Sequence, residues 1–328
     1  MRTEINLLKL IDEWDSMVKF SEDAFYSYFE RAGKFRSMYE NIRNLYQYKW
    51  SVNRSFPAGL TPTLENWLNN FSTKREQRVA FELVSKVLFY SRRELECLCR
   101  TACNKLLAFM TRSLGSAVNM SFIDKEAFLL PATDSDAQYC TFLRHSLGLN
   151  TNTVKQSIHD LKTYHYSQRK HIILLEDFVG SGTTAINKYR ELGVPEKRTA
   201  FGDLHFYYCA LVATEWGLER IKRQTAFEVV AGEVLDSKYK CFSDNSMIYP
   251  QTRNRAEAQQ VFSDYGEQLC QDDPEIPGYP LGFNDDQLSV VLPDNTPDNT
   301  LPVIWYPDKN WFALFRRDRR YHGATAPI

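Results

Sequence analysis

The spacing of apolar residues changes near residue 119. Before it, apolar side chains recur at helical spacing, as in the segments 79–88 and 92–110, and such a period predicts amphipathic helices. After it, short continuous apolar runs alternate with polar stretches of helical composition. The change predicts an N-terminal all-helical domain, residues 1–115, followed by an α/β domain, residues 116–245.

Short apolar runs predict the strands of the second domain. They are residues 127–130, 172–175, 208–213 and the pair 227–230 and 233–235. Strands that alternate with helices and are apolar on both faces are typical of a doubly wound, mostly parallel sheet, which binds ligands at the carboxyl ends of its strands. Residues 246–328 are rich in Pro and turn residues but contain Trp305 and Trp311. They are predicted to form a C-terminal extension packed on the α/β domain.

The most informative stretch is Ile172–Ala185, which reads IILLEDFVGSGTTA. It predicts a buried strand, two acidic residues, a turn and a following helix. Main-chain amides at a helix start favour an anion, and hydroxyl groups add hydrogen-bond donors, so a phosphate fits this turn. The predicted phosphate-binding residues are Gly180, Ser181, Gly182, Thr183 and Thr184, and the predicted catalytic acids are Glu176 and Asp177.

Two common nucleotide-binding loops fit this stretch poorly. A phosphate loop of the Walker type needs a Lys after its second Gly, and no Lys follows Gly182. The dinucleotide fingerprint is matched by Gly180, Gly182 and Ala185, but the acid expected about 20 residues onward is present only as Asp203, in a Gly-Asp turn. The match is therefore weak.

The same stretch resembles the ribose-phosphate loop of type I phosphoribosyltransferases, in which two acids follow an apolar strand and hydroxyl residues surround a Gly. Phe178 and Gly180 depart from the usual residues of that loop. The stretch also resembles the S-adenosylmethionine-binding motif of DNA amino-methyltransferases, but Asp177 stands where that motif has Pro, and no Asn/Asp-Pro-Pro-Tyr tetrad occurs. The resemblance to phosphoribosyltransferases is the stronger one.

This resemblance implies further site residues. The polar loop after the first strand would bind pyrophosphate through Thr133, Asp134 and Ser135, with Arg144 supplying positive charge. The basic segment 150–170 would cover the substrate. Magnesium is the candidate cofactor, and the ligand is expected to be a ribose phosphate or a nucleotide.

The loop together with the tail Asn-Thr-Leu-Pro-x-x-Trp, residues 299–305, resembles a phosphoribosyltransferase-like family with a C-terminal extension found in prokaryotic conflict systems, including retron-type antiphage operons. The resemblance implies an effector that acts as a toxin by phosphoribosyl or glycosyl transfer or by glycosidic-bond cleavage. Implied partners are a reverse transcriptase with its DNA-RNA hybrid and an operon-encoded accessory protein. A non-catalytic nucleotide sensor and a methyltransferase remain alternatives.

Composition adds few constraints. The 40 Lys and Arg residues nearly balance the 41 Asp and Glu residues, so only a local patch could bind nucleic acid. The one concentrated basic run is Arg316, Arg317, Arg319 and Arg320, which suits phosphate contacts. The seven Cys residues form neither a metal-binding pattern nor a disulfide framework. No signal peptide or membrane span is predicted, and a cytoplasmic location is expected.

Overall fold

The structure of the protein is a computed structural model, which describes residues 6–18, 34–50, 59–271, 279–306, 310–315 and 317. The chain divides into two compact units. The first combines Met1–Ser91 with Ser237–Asp318, and the second is centred on Arg92–Asp236. The N-terminal helices and the C-terminal extension thus belong to the same unit.

The described helices and strands follow one another along the chain. They are α1 (Leu7–Val18), α2 (Lys34–Tyr48), α3 (Leu60–Leu68), α4 (Lys74–Val84), β1 (Leu88–Phe89), α5 (Arg92–Leu114), α6 (Met120–Glu126), β2 (Ala127–Pro131), α7 (Ala137–Leu147), α8 (Thr163–Gln168), β3 (His171–Val179), α9 (Thr183–Leu192), α10 (Val194–Phe201), β4 (His205–Thr214), α11 (Glu215–Gln224), β5 (Glu228–Leu235), α12 (Thr252–Cys270), β6 (Val290–Val291) and α13 (Pro302–Trp305). None of these helices is both long and apolar enough to cross a membrane.

The first unit is held together by buried aromatic side chains. Trp67 and Trp311 both donate an indole N–H to the carbonyl of Val303, at 2.8 and 3.1 Å, and Trp305 donates to the carbonyl of Thr300 at 2.8 Å. Buried indole N–H groups normally require such partners. The Asn-Thr-Leu-Pro-x-x-Trp tail is therefore part of the core of this unit.

The second unit is built on a four-stranded parallel sheet in the order β2-β3-β4-β5. One face of the sheet is covered by α9, α10 and α11, and the other by α5, α6 and α7. The predicted doubly wound α/β architecture is confirmed. Helix α5, assigned from the sequence to the N-terminal domain, packs on this sheet, because the Leu98 carbonyl lies against Gly232 of β5.

The direction of the winding reverses at β2. Val154 forms a parallel bridge with Leu129 on the edge of β2 that faces away from β3, with backbone hydrogen bonds of 2.9 Å on both sides of the bridge. The chain leaves β2 outward to Val154 and then returns across the sheet to β3. In a doubly wound sheet the crevice at such a reversal, between the carboxyl ends of the two strands, is the usual place for a ligand.

Candidate functional site

Strand β3 continues four residues beyond the predicted apolar run and includes both acids. Its pairing with β2 ends at Pro131 and Leu175, whereas its pairing with β4 continues to Val179. The backbone of β3 therefore loses its strand partner on one side where the acids begin. The main chain at Asp177 is open to side chains from the loop after β2.

Asp136 fills that position. Its Oδ1 accepts a hydrogen bond from the Asp177 main-chain N–H at 2.8 Å, and its Oδ2 accepts from the Thr133 N–H at 2.8 Å and from the Thr133 hydroxyl at 2.7 Å. Asp136 is fully buried. Burial raises its pKa well above the usual value for Asp, and the nearby carboxylates of Asp177 and Glu176 raise it further. Asp136 thus joins the loop after β2 to the end of β3.

The two predicted acids point to opposite faces of the sheet, as neighbours on a strand do. Glu176 is 6% exposed, and its Oε2 accepts a hydrogen bond of 2.8 Å from the hydroxyl of the buried Tyr208. Burial and the adjacent Glu176 carboxylate raise the Tyr208 pKa well above its usual value. Asp177 is half-buried. Of the pair, Asp177 is the acid accessible to a ligand, and Glu176 lies behind it in the interior.

The predicted phosphate loop is fixed against α11. Gly182 has φ of +76° and directly precedes α9. The hydroxyl of Thr214 donates to the Gly180 carbonyl at 2.5 Å and accepts from the Gly217 N–H at 3.0 Å. A Cβ on Gly217 would lie 2.1 Å from the Gly180 oxygen, so only Gly permits this approach. Contacts within the protein therefore define the shape of the loop.

Hydroxyl groups and helix amides meet at this loop. The Ser181 and Thr183 side-chain oxygens are 2.9 Å apart, and Thr184 follows in the first turn of α9, half-buried. The first amides of a helix have no partner within the helix and carry its positive dipole end. The five predicted loop residues are thus brought together in an arrangement that suits a phosphate.

Arg220, on α11, is a component that the sequence analysis missed. One of its terminal guanidinium nitrogens donates to the Ser181 carbonyl and to the Thr183 hydroxyl, both at 3.1 Å. The available signal was helical spacing, because Gly217, Arg220 and Ile221 lie on one face of α11. Asp136 was also missed, although the Thr-x-x-Asp spacing of a capping box ends at that residue.

The predicted pyrophosphate residues are only partly collected at the site. The Thr133 and Ser135 hydroxyls lie 2.8 Å apart, and Asp134 between them is exposed, all close to the end of β3. Arg144 lies in the last turn of α7, about 10 Å along the helix axis from its start, and contacts His145 at 2.7 Å. The contact of the Arg144 guanidinium is thus with a neighbouring side chain of α7.

Two basic residues of the segment 150–170 contact the amino end of β2. Arg169 donates to the Ala127 carbonyl and to the Thr153 hydroxyl, the latter at 3.0 Å, and Lys155 lies 5.0 Å from the centre of the Phe128 ring. Ala127 begins β2, about 13 Å from its carboxyl end. Arg169 thus stabilises the amino end of the sheet and does not cover the candidate site.

Of the four arginines in the predicted nucleic-acid patch, Arg316, Arg319 and Arg320 lie outside the described residues. Arg317 is described, and its side chain is 10% exposed. It donates to the Thr296 carbonyl at 3.2 Å, pairs with Asp298 at 3.6 Å and lies over the Trp305 ring. These contacts use its guanidinium within the first unit.

Comparison with known proteins identifies the family of this chain. A solved hypoxanthine-guanine-xanthine phosphoribosyltransferase (HGXPRTase) is similar at 18% sequence identity and a TM-score of 0.29, over 47% of this chain and 80% of that chain. Among curated proteins no match is found. A family model described as PRTase-CE matches residues 64–317, well over half of the chain. The chain therefore belongs to the PRTase-CE family of phosphoribosyltransferase-like proteins with a C-terminal extension.

Proposed function

We propose that the protein binds a ribose phosphate, such as phosphoribosyl pyrophosphate or a nucleotide, and breaks or forms the bond at ribose C1. The observation that carries this proposal is the position of Asp177 and the Gly180–Thr184 loop on one strand-turn-helix unit at the reversal of the sheet. A half-exposed carboxylate and a preformed anion-binding loop lie within a few residues of each other. This is the chemistry that a sugar phosphate needs.

Each group has a distinct role in the proposed reaction. The loop amides and hydroxyls bind the 5′-phosphate and fix the ring, which removes much of the entropic part of the barrier. The Asp177 carboxylate accepts hydrogen bonds from the ribose hydroxyls. As the C1–O bond to the leaving pyrophosphate or the C1–N bond to a base breaks, and water or an acceptor nucleophile bonds to C1, positive charge develops on the ring, and a nearby carboxylate favours that charge. Glu176, held by Tyr208, supplies negative charge from behind without contacting the ligand.

The end of the site facing the leaving group is acidic. Asp134 is exposed in the loop after β2, and it would repel a pyrophosphate there unless a cation were present. Among the described residues no group of three His, Cys, Asp or Glu side chains is arranged to hold a metal. Mg²⁺ commonly uses one or two carboxylates together with substrate phosphates. Asp177 and the exposed Asp134 would be the carboxylates to hold Mg²⁺ together with the substrate phosphates, and the ion would supply positive charge for the departing pyrophosphate.

Replacing Asp177 by Asn tests the proposal, because Asn keeps the shape of the side chain and removes its charge. We expect Asp177→Asn to lower turnover about 100-fold or more, a typical loss when one electrostatic group is removed from a catalytic site. The assay is pyrophosphate release from phosphoribosyl pyrophosphate with Mg²⁺, with binding measured by calorimetry. The control is Asp203→Asn, at an exposed position before β4. Equal activity in wild type and Asp177→Asn would contradict the assignment.

A non-catalytic nucleotide sensor is the second candidate. It is favoured by the burial of Glu176 and by the engagement of both Asp136 oxygens in structural hydrogen bonds, which remove two of the acids near the site from contact with a ligand. A sensor would bind the sugar phosphate tightly and release no pyrophosphate over hours. Membership of the PRTase-CE family favours both candidates over the methyltransferase alternative, which S-adenosylmethionine binding would test.

The cellular role is proposed from the resemblance of the loop and the tail. We infer a cytoplasmic effector of a retron-type antiphage operon, restrained by a reverse transcriptase with its DNA-RNA hybrid and by an accessory protein. Expression of the chain alone should then arrest growth, and Asp177→Asn should relieve the arrest. Mass spectrometry of cellular nucleotides in both strains would identify the substrate. Equal growth of both strains, at matched protein levels, would contradict the toxin role.

A further inference from the structure

Arg220 contacts the phosphate loop from a different helix, and no role is assigned to it by the loop motif. It lies on the face of α11 that approaches the loop, together with Gly217 and Ile221, and its side chain is partly exposed. Its hydrogen bonds to the Ser181 carbonyl and the Thr183 hydroxyl place a permanent positive charge beside the loop.

The direction of these hydrogen bonds determines what the loop can bind. A guanidinium only donates, so Thr183 Oγ1 is an acceptor towards Arg220. Ser181 and Thr183 share one hydrogen bond, which uses one of their two hydroxyl protons. The other proton has no acceptor among the described contacts. The cluster of Arg220, Ser181 and Thr183 therefore presents unused donors, and the matching ligand is an acceptor with negative charge.

The positive charge at the loop indicates the charge of the ligand that it would bind. Helix amides contribute only about half of one positive charge at a helix start, whereas a terminal phosphate carries nearly two negative charges above its second pKa of about 6. A guanidinium adds a full charge and a fork of donors that suits phosphate oxygens. The loop with Arg220 is thus better matched to a dianionic phosphate than the loop alone.

We propose that Arg220 is a phosphate-binding residue that makes the site select 5′-phosphorylated ribosyl ligands in their dianionic form over unphosphorylated ribosides. This inference rests on the proposed function, because it assigns the 5′-phosphate to the Gly180–Thr184 loop. It adds a residue from α11 to the site and defines the substrate class by the charge of its terminal group.

Calorimetry with ribose 5-phosphate, at pH values from 5 to 8, tests the inference. In wild type, affinity should rise as pH increases through about 6, where the phosphate loses its second proton. In Arg220→Met, affinity at pH 8 should fall at least tenfold and the dependence on pH should flatten. Arg220→Lys keeps the charge but loses the paired N–H donors of the guanidinium. Its loss of affinity should therefore be smaller, and its affinity should still depend on pH. The matched control is Arg223→Met, at an exposed position of the same helix.

The outcomes separate the two proposals. If wild type binds ribose 5-phosphate and Arg220→Met has the same affinity and pH profile as Arg223→Met, the role of Arg220 is refuted while the proposed function stands. If wild type binds neither ribose 5-phosphate nor phosphoribosyl pyrophosphate, both are refuted. A general loss of affinity in Arg220→Met with an unchanged pH profile would show that Arg220 only supports the loop, which also refutes the inference. Should Arg220→Met fail to fold, Arg220→Gln replaces it, because Gln keeps a hydrogen-bond donor for the loop but has no charge, and the same two results for affinity and pH profile are expected.

Discussion

The close approach of α11 to the Gly180–Thr184 loop gives a quantitative prediction for Gly217→Ala. The added Cβ would lie 2.1 Å from the Gly180 oxygen and 2.8 Å from the Thr214 hydroxyl, far inside normal contact. Both atoms belong to the connection that fixes the loop. The loop and α11 must therefore separate by roughly 1 Å to accept the methyl group.

The free energy of unfolding should change little in Gly217→Ala, because two effects of the added methyl group oppose each other. Gly to Ala within a helix stabilises by about 1 kcal/mol through helix propensity, whereas overpacking costs about 1 to 3 kcal/mol. The net loss in the free energy of unfolding is therefore roughly 0 to 2 kcal/mol. Ligand binding should respond more strongly, because a shift of about 1 Å in groups that position a substrate can reduce activity about 100-fold.

The assay compares urea unfolding and calorimetric binding of ribose 5-phosphate in wild type, Gly217→Ala and Glu219→Ala. The last variant places Ala at an exposed position of the same helix and serves as the control. We expect Gly217→Ala to lose at least tenfold in affinity and Glu219→Ala to bind normally. If Gly217→Ala has a free energy of unfolding about 1 kcal/mol higher than wild type, the full effect of helix propensity, and binds like wild type, the contact between the loop and α11 does not shape the site.

Three further variants test other parts of the structure. Tyr208→Phe removes a buried hydrogen bond to Glu176, and urea unfolding should show a loss of about 1 to 3 kcal/mol; no change would contradict the burial of that carboxylate. Burial and the neighbouring imidazole of His205 lower the pKa of His171 from 6.5 to about 4. The unfolded chain therefore binds a proton first, and stability should fall as pH decreases from about 6.5 to about 4. This slope should be shallower in His171→Phe, and an equal slope would refute the shift. Arg317→Met removes the contact over Trp305 and should lower the free energy of unfolding by about 1 to 2 kcal/mol. Its affinity for nucleic acid, measured by filter binding, should equal that of wild type. A lower affinity would support the predicted nucleic-acid patch.

The strands show where a local pattern is informative and where it fails. The apolar run 172–175 correctly located β3, but the strand extends to Val179, since pairing with β4 continues past the two acids. The predicted pair 227–230 and 233–235 is one strand, β5. Leu88 fitted a helical period, yet it lies in β1 and pairs with Val290. Whether a strand continues past polar residues, or forms at all from a short apolar run, depends on pairing with a strand that is distant in the sequence. The periodicity of the local sequence carries no information about that pairing.

The site shows the same division. The loop residues are contiguous, so their identity and order were evident from the sequence. The residues that hydrogen-bond the acids and the loop come from other segments. Asp136 in the loop after β2 and Tyr208 on β4 bond the acids, and Thr214 on β4 and Arg220 on α11 bond the loop. The sequence also could not show which acid faces a ligand. That depends on which side of the sheet each side chain occupies and on what covers that side.

The sequence by itself determined the alternation of strands and helices and the position of the two acids and of the Gly180–Thr184 loop, because each depends on residues that are neighbours in the chain. Only the tertiary structure decided the strand order with its reversal at β2, the burial of Glu176 and the use of Arg317 inside the first unit. The physical reason is that the contacting partners of these residues are distant in the chain, 12 positions away for Trp305 and Arg317 and 32 positions away for Tyr208 and Glu176. Such contacts have no signature in the local order of residues.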